Sequence, residues 1–192
     1  LRLPLIYNTN AYDSVEVLRL LQGVFDIYLP DLKYSDEQTA REYSKIPHYV
    51  ASARAAVKEM HRQLGDALVM DERGLLRRGL VIRLLVLPND LAGLRETLGW
   101  IRNELSTRVT LSLMSQYYPA NKVGRAGSGG EELFPLLNRK IRPREWERVL
   151  GWVEQYGFEN GWLQPLEQDA SEYYRPDFSD AAFPFADARD FA

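Results

Sequence analysis

The stretch from Gly79 to Pro88 constrains the fold more than any other part of the sequence. Leu80 to Leu87 is apolar at every position except Arg83. Strands with one face in water alternate apolar and polar residues, whereas a continuous apolar run is typical of a parallel strand that is covered on both faces. The stretch therefore predicts a central strand of a parallel sheet in an α/β protein.

Arg83 needs a partner in such a strand, because an unpaired charge in apolar surroundings costs several kcal/mol. One candidate is a structural carboxylate, which is the commoner arrangement. The other is an anionic group of a ligand, for which the planar guanidinium is well shaped. The pattern of residues leaves both open.

A second strand is predicted over residues 24–29, where apolar side chains recur at every second position. Pro30 ends it, since proline cannot donate a hydrogen bond to a neighbouring strand. Asp31 and Lys33 then point to the same side, just past the C-terminal end, where parallel α/β sheets place their ligands. Such a pair can bind a zwitterionic or cationic small molecule, or it can be an ion pair on a solvated loop.

The other segments also alternate between strands and helices. Strands are predicted at residues 3–8 and 109–114, helices at about 15–21, 36–44, 48–64, 91–105 and 143–156, and loops at 67–78 and 121–130. This order predicts an α/β fold with four parallel strands, which suits part of a (β/α) barrel better than a complete doubly wound sheet. A strand pattern from the first residues predicts a piece of a longer protein. Residues 1–164 form the predicted domain, and residues 165–192 an irregular tail.

Composition argues against several functions. The 24 basic and 27 acidic residues give a formal net charge of −3, so no positive field is available for nucleic acid or an anionic membrane. No apolar run reaches the roughly 18 residues of a spanning helix, and no signal peptide opens the chain, so we expect a cytoplasmic protein. Cysteine is absent, which rules out thiolate metal sites within these residues.

Polar side chains follow the ends of several predicted strands, and they are the candidate ligand-binding residues. They are Asn8, Thr9, Asn10, Asp31, Lys33, Gln116 and Tyr117, with Arg83 inside its own strand. Because the C-terminal ends of parallel strands meet at one edge of a sheet, we expect these groups to form one rim.

Four segments occur in a characteristic order: residues 5–10, 28–34, 78–88 and 113–117. With Asn138-Arg139 and residues 160–164, they resemble the C-terminal two-thirds of radical S-adenosylmethionine (radical SAM) proteins related to pyruvate formate-lyase activating enzyme. The likeness is greatest to the branch of pyruvate formate-lyase activating enzyme-like proteins, and it covers residues 1 to 164.

The resemblance implies a partial (β/α)6 TIM-type barrel of which this chain supplies strands three to six with their crossover helices. It implies a 4Fe–4S cluster, held upstream by the cysteines of a CxxxCxxC loop, and S-adenosylmethionine, cleaved to a 5′-deoxyadenosyl radical that abstracts a hydrogen atom. Asp31 and Lys33 would lie beside the methionine part of the cofactor, and Arg83 would contact the cofactor. The implied partners are a protein substrate and an electron donor such as flavodoxin or ferredoxin.

The sequence departs from this family in three ways. The cluster cysteines and the Gly-Gly-Glu motif that follows them are absent from these residues. Asn8 stands where activating enzymes carry aspartate, and Leu84 and Asn89 stand where relatives tend to carry histidine and glycine. A non-catalytic α/β binding or scaffold domain that has lost the cluster module is therefore the alternative hypothesis.

Overall fold

The structure, a computed structural model, describes residues 3–166 of the 192-residue chain. The tail predicted over residues 165–192 lies outside the described residues, apart from its first two positions. Within the described part, no helix combines the length and the apolar character that crossing a membrane requires.

Helices and strands alternate along most of the chain. In order they are β1 (Ile6–Thr9), α1 (Val15–Leu20), β2 (Ile27–Pro30), α2 (Glu37–Ser44), α3 (Tyr49–Leu64), β3 (Val69–Met70), β4 (Leu76–Leu85), α4 (Leu94–Glu104), β5 (Thr110–Met114), α5 (Pro143–Tyr156) and β6 (Gly161–Leu163). Short 3₁₀ turns follow β4 at Pro88–Asp90 and precede α5 at Pro135–Leu137.

The strands form one sheet in the order β1-β2-β4-β5-β6, and every neighbouring pair in this order is parallel. The prediction of an α/β fold built on parallel strands is confirmed. The structure adds a fifth parallel strand, β6, to the four that were predicted. With only three residues, β6 is too short for a period-two pattern to be visible in the sequence.

The prediction of a loop over residues 67–78 is wrong in two places, because Val69–Met70 form β3 and β4 begins at Leu76. The predicted turn at residues 71–74 is present, and Asp71 Oδ1 accepts hydrogen bonds from the backbone N–H of Arg73 and of Leu75. This turn joins β3 to β4 as an antiparallel hairpin. Arg77 and Arg78 conceal the first residues of β4, because charged side chains interrupt the apolar run that identifies a buried strand.

One face of β4 is buried along the apolar run, as that run predicts, and the other is buried as far as Val81, beyond which Arg83 and Leu85 are half-buried. Leu80, Ile82 and Leu84 are fully buried in the core shared with the helices, and Val81 on the other face is also buried. Gly79 shows what covers that second face, since a Cβ at this position would lie 2.4 Å from the side chain of Leu68. The segment before β3 thus closes the sheet at the N-terminal end of β4.

β1 is the edge strand at one end of the sheet formed by the described residues. Leu5 and Ile6 are 53% and 52% exposed, although both are large apolar residues. An exposed apolar edge strand offers unpaired backbone groups and a hydrophobic surface to another chain.

We expect the 192-residue chain to self-associate through β1, and Ile6→Lys to reduce this association because a charge on an edge strand opposes strand pairing. Sedimentation over a range of protein concentrations measures the effect. Leu75→Lys is the matched control, since Leu75 is 56% exposed and lies in the β3–β4 turn. A wild-type chain that stays monomeric at every concentration would contradict the prediction.

Candidate functional site

A cavity of about 600 Å³ lies at the C-terminal ends of β2, β4 and β5. Its walls come from the residues that follow these strands and from the segment before α5. The lining residues are Asp31, Leu32, Lys33, Tyr34, Arg83, Leu85, Leu87, Met114, Gln116, Tyr117, Tyr118, Ala120 and Leu137. Of the eight residues named from the sequence, the structure brings five together here: Asp31, Lys33, Arg83, Gln116 and Tyr117.

Asp31 and Arg83 form a two-point ion pair on the cavity wall. Arg83 Nε donates to Asp31 Oδ1 at 2.5 Å, and a second guanidinium nitrogen donates to Oδ2 at 3.1 Å. The two residues also face each other in a parallel bridge that extends the contact between β2 and β4. The sequence left two partners open for Arg83, a structural carboxylate or an anionic group of a ligand. The structure provides a structural carboxylate, that of Asp31.

Lys33 is the cation that this pair does not neutralise. Its side chain is exposed and makes no ion pair or hydrogen bond with another residue in the range 3–166. Its backbone is fixed, because its N–H donates to the hydroxyl of Tyr49 at 2.9 Å. Burial raises the pKa of the Tyr49 hydroxyl far above its ordinary value, so the hydroxyl stays neutral and holds the loop after β2 in place.

The cavity lining also includes aromatic and apolar side chains. Tyr34, Tyr117 and Tyr118 contribute rings, and Leu87 and Leu137 are among the apolar residues. The Tyr117 hydroxyl donates to the backbone carbonyl of Leu137 at 2.9 Å, and burial raises the pKa of Tyr117 to about 12. The cavity therefore offers charged side chains to a charged group of a ligand, and rings and apolar side chains to a flat or apolar part of it.

Asn8, Thr9 and Asn10 lie on and after β1, outside the residues that line this cavity. Thr9 Oγ1 donates to Asp13 Oδ2 at 2.6 Å, and Asn10 Oδ1 accepts from the backbone N–H of Tyr12. Asn8 is exposed. These contacts give Thr9 and Asn10 local structural partners, and the cofactor role predicted for the three residues stays a prediction.

Sequence reasoning missed Glu145, which holds in place the segment before α5 that contributes Leu137 to the cavity lining. Arg139 donates to both oxygens of Glu145 at 2.7 and 2.8 Å, and the backbone N–H groups of Asn89 and Arg142 donate to one oxygen each. Asn89 also donates from its side chain to the carbonyl of Leu136. The spacing of Arg142 and Glu145 at the start of α5 was the available signal, since a residue three positions into a helix can cap it.

Asn89 adopts a left-handed backbone conformation, with φ of 58°. Glycine adopts it without strain, and asparagine tolerates it better than most residues do. The departure at this position, asparagine where relatives tend to carry glycine, thus preserves the turn after β4 and adds a side chain that binds Arg139 through its Oδ1.

We expect Arg83→Met to lower the free energy of unfolding by about 1–3 kcal/mol, because it leaves the Asp31 carboxylate without its partner. The two side chains are 28% and 23% exposed, so solvent screens part of the effect. Urea unfolding measures it. Replacing both residues, as Asp31→Leu with Arg83→Met, should restore part of the loss. A double variant whose loss is the sum of the single losses would argue against the pair.

We expect acid to weaken the contribution of Glu145. Hydrogen bonds from Arg139, above all, lower the pKa of Glu145 to about 2. A carboxylate with a lowered pKa in the folded protein stabilises the fold above its ordinary pKa of about 4.3, and this stability is lost as the pH falls towards the folded-state value.

The stability difference between the wild type and Glu145→Gln should therefore shrink by about 2–3 kcal/mol between about pH 5 and pH 2. Urea unfolding at several pH values measures it. Glu147→Gln, an exposed position on the same helix, is the control. An unchanged difference across this pH range would contradict the assignment.

The described residues contain no group of three or more histidine, cysteine, aspartate or glutamate side chains that could hold a metal ion.

Comparison with known proteins finds an uncharacterized archaeal relative. No protein-family model matches the chain. Over 158 residues the chain is 30% identical to the uncharacterized protein MJ0674 of Methanocaldococcus jannaschii. The match covers 82% of this chain and 40% of that archaeal protein, so the chain spans well under half of the length of the relative.

Proposed function

We propose that this chain is the cofactor-binding part of a radical S-adenosylmethionine enzyme similar to pyruvate formate-lyase activating enzyme, with a partial (β/α)6 barrel. In this proposal β1, β2, β4 and β5 are the third to sixth strands of the barrel, and β6 is an addition. The observation that carries the proposal is the cavity at the C-terminal ends of β2, β4 and β5, where Asp31, Lys33 and Arg83 meet.

The cavity's chemistry fits S-adenosylmethionine. The cofactor has an amino-acid end with a carboxylate, and an adenosine end with ribose hydroxyls and a planar base. The ammonium of Lys33 and the N–H groups of Arg83 suit the carboxylate or the ribose oxygens. The tyrosine rings in the lining of the cavity offer flat apolar surfaces of the kind on which a base can stack.

The residues of this chain do not fit the second implied cofactor. An iron–sulfur cluster of this class is held by cysteine thiolates, and the sequence contains no cysteine. In the proposal, the cluster ligands belong to another part of a longer protein, consistent with the 40% coverage of the archaeal relative. No chemical step of the cluster is assigned to the residues described here.

When bound, S-adenosylmethionine supplies the group that abstracts a hydrogen atom from a substrate. The part played by this chain is to bind and orient the cofactor. Lys33 would neutralise the carboxylate, and its backbone position is set by the hydrogen bond that its N–H donates to Tyr49. Arg83 is held flat against the wall by Asp31, which fixes the direction of its remaining N–H groups before the ligand enters. Pre-organised donors of this kind cost little conformational entropy on binding.

Calorimetric titration of S-adenosylmethionine tests the proposal. Lys33→Ala should weaken binding by about 1.5–3 kcal/mol, the scale of a charge-assisted hydrogen bond. Unfolding should change little, because the side chain is exposed and lies past the end of β2. Lys58→Ala is the control, since Lys58 pairs with Glu104 on the surface, away from the cavity. Equal affinities of the wild type and Lys33→Ala would remove Lys33 from the site.

A non-catalytic binding domain that uses the same cavity is the second candidate. Both candidates bind a small molecule in the same cavity, so the titration does not separate them. The coding sequence upstream of Leu1 does. A CxxxCxxC loop followed by Gly-Gly-Glu supports the enzyme, whereas a reading frame that starts near Leu1 supports the binding domain.

A further inference from the structure

Gln164 follows β6 and is held firmly against β5. Its backbone N–H donates to the carbonyl of Leu113 at 3.0 Å, continuing the ladder between the two strands. The next residue is anchored as well, since the hydroxyl of the buried Ser115 donates to the carbonyl of Pro165 at 2.8 Å. The side chain of Gln164 thus starts from a fixed backbone.

That side chain binds Gln116, which lines the cavity. Nε2 of Gln164 donates to Oε1 of Gln116 at 3.1 Å. With its oxygen engaged, the exposed Gln116 amide has its NH₂ group left for a ligand. This NH₂ group also contacts the thioether sulfur of Met114 at 3.9 Å, and a thioether is a weak acceptor.

The amide oxygen of Gln164 is buried and has no hydrogen-bond partner among the described residues. A buried acceptor without a partner is costly and uncommon, so its presence calls for a compensating role. An apolar side chain such as methionine would avoid the cost and would also lose the bond to Gln116. In this structure the compensating role is the hydrogen bond that Gln164 donates to Gln116.

We infer that Gln164 is a positioning residue: it turns Gln116 so that the cavity receives N–H donors from this wall rather than a carbonyl oxygen. The inference rests on the proposed function and adds to it. The oxygens of Asp31 accept from Arg83, while Lys33 and Arg83 are donors. With Gln116 oriented in this way, these side chains select a ligand through its acceptor atoms, such as carboxylate or hydroxyl oxygens.

Two substitutions at position 164 separate orientation from packing. Gln164→Glu keeps the size of the side chain. At about pH 8 the carboxylate can only accept hydrogen bonds, so it should attract the NH₂ group of Gln116. The Gln116 amide then turns its oxygen towards the ligand. Gln164→Met only releases Gln116. We expect the Kd for S-adenosylmethionine to rise about tenfold in Gln164→Glu and about threefold in Gln164→Met.

The order of these two effects is read together with the stability of each variant, because a carboxylate at the buried oxygen position can also disturb the fold. The readout that a structural role would not produce is the loss of the Gln164→Glu effect once the Gln116 amide is removed. The added negative charge cannot explain weaker binding, because S-adenosylmethionine carries a net positive charge and would be attracted. Thermal unfolding of both variants, within a few degrees of the wild type, shows that the fold is intact.

A third comparison uses Gln116→Met as the background. Without the Gln116 amide, Gln164→Glu should no longer change the Kd, since its effect passes through that amide. The inference is overturned if Gln164→Met weakens binding as much as Gln164→Glu does, or if the effect of Gln164→Glu persists in Gln116→Met. A wild-type chain that does not bind S-adenosylmethionine overturns the proposed function, and this inference with it.

Discussion

The ion pair between Asp31 and Arg83 is the interaction on which the cavity depends. Between β2 and β4 the described ladder joins Ile27 and Tyr28 to Gly79 and Leu80, and the strands meet again only where Asp31 faces Arg83. Pro30 explains part of the gap, because it has no N–H to donate. The ion pair thus reinforces the backbone pairing at this point, where the N–H of Leu32 donates to the carbonyl of Arg83 at 3.1 Å, and it joins the two strands at the wall of the cavity.

Neutralising Arg83 within the protein also sets the charge of the cavity. An unpaired guanidinium and ammonium together would give the wall two positive charges, and a small neutral ligand would leave both unsatisfied. With Asp31 paired to Arg83, one cation at Lys33 remains, and it is exposed enough to be hydrated when no ligand is present. The fold therefore tolerates an empty cavity without a buried unpaired charge.

Sequence reasoning identified the strands that carry the site and the position of Asp31 and Lys33 just past the end of β2. Period-two alternation gives the side of a strand on which a residue lies, whereas the register between strands depends on distant backbone pairing. Asp31 and Arg83 were therefore both named, while a structural carboxylate, not assigned to any residue, was left as one of two alternative partners of Arg83. The cofactor roles assigned to them on the resemblance stay predictions.

The contacts that sequence reasoning missed join segments far apart in the chain. Glu145 binds the turn after β4 from the start of α5, and Gln164 reaches Gln116 from beyond β6. Neither long-range contact leaves a local pattern: the spacing of Arg142 and Glu145 indicates a helix cap, but it does not indicate that Glu145 also binds Asn89. β3 and β6 were missed for a related reason, since strands of two or three residues are too short to show periodicity.

The walls of the cavity are held by two kinds of contact. Asp31 and Arg83 lie where the backbones at the ends of β2 and β4 are paired, which fixes the starting points of both side chains. Tyr117 and Leu137 lie in the loop and turn residues between β5 and α5, which are held by a few side-chain bonds, among them those of Glu145 and Tyr117. Side-chain bonds at a surface are fewer and weaker than a strand ladder, so opening of the cavity for ligand exchange should start at this loop. The ion pair then keeps its geometry while the ligand enters, which is the condition under which pre-organised donors increase affinity.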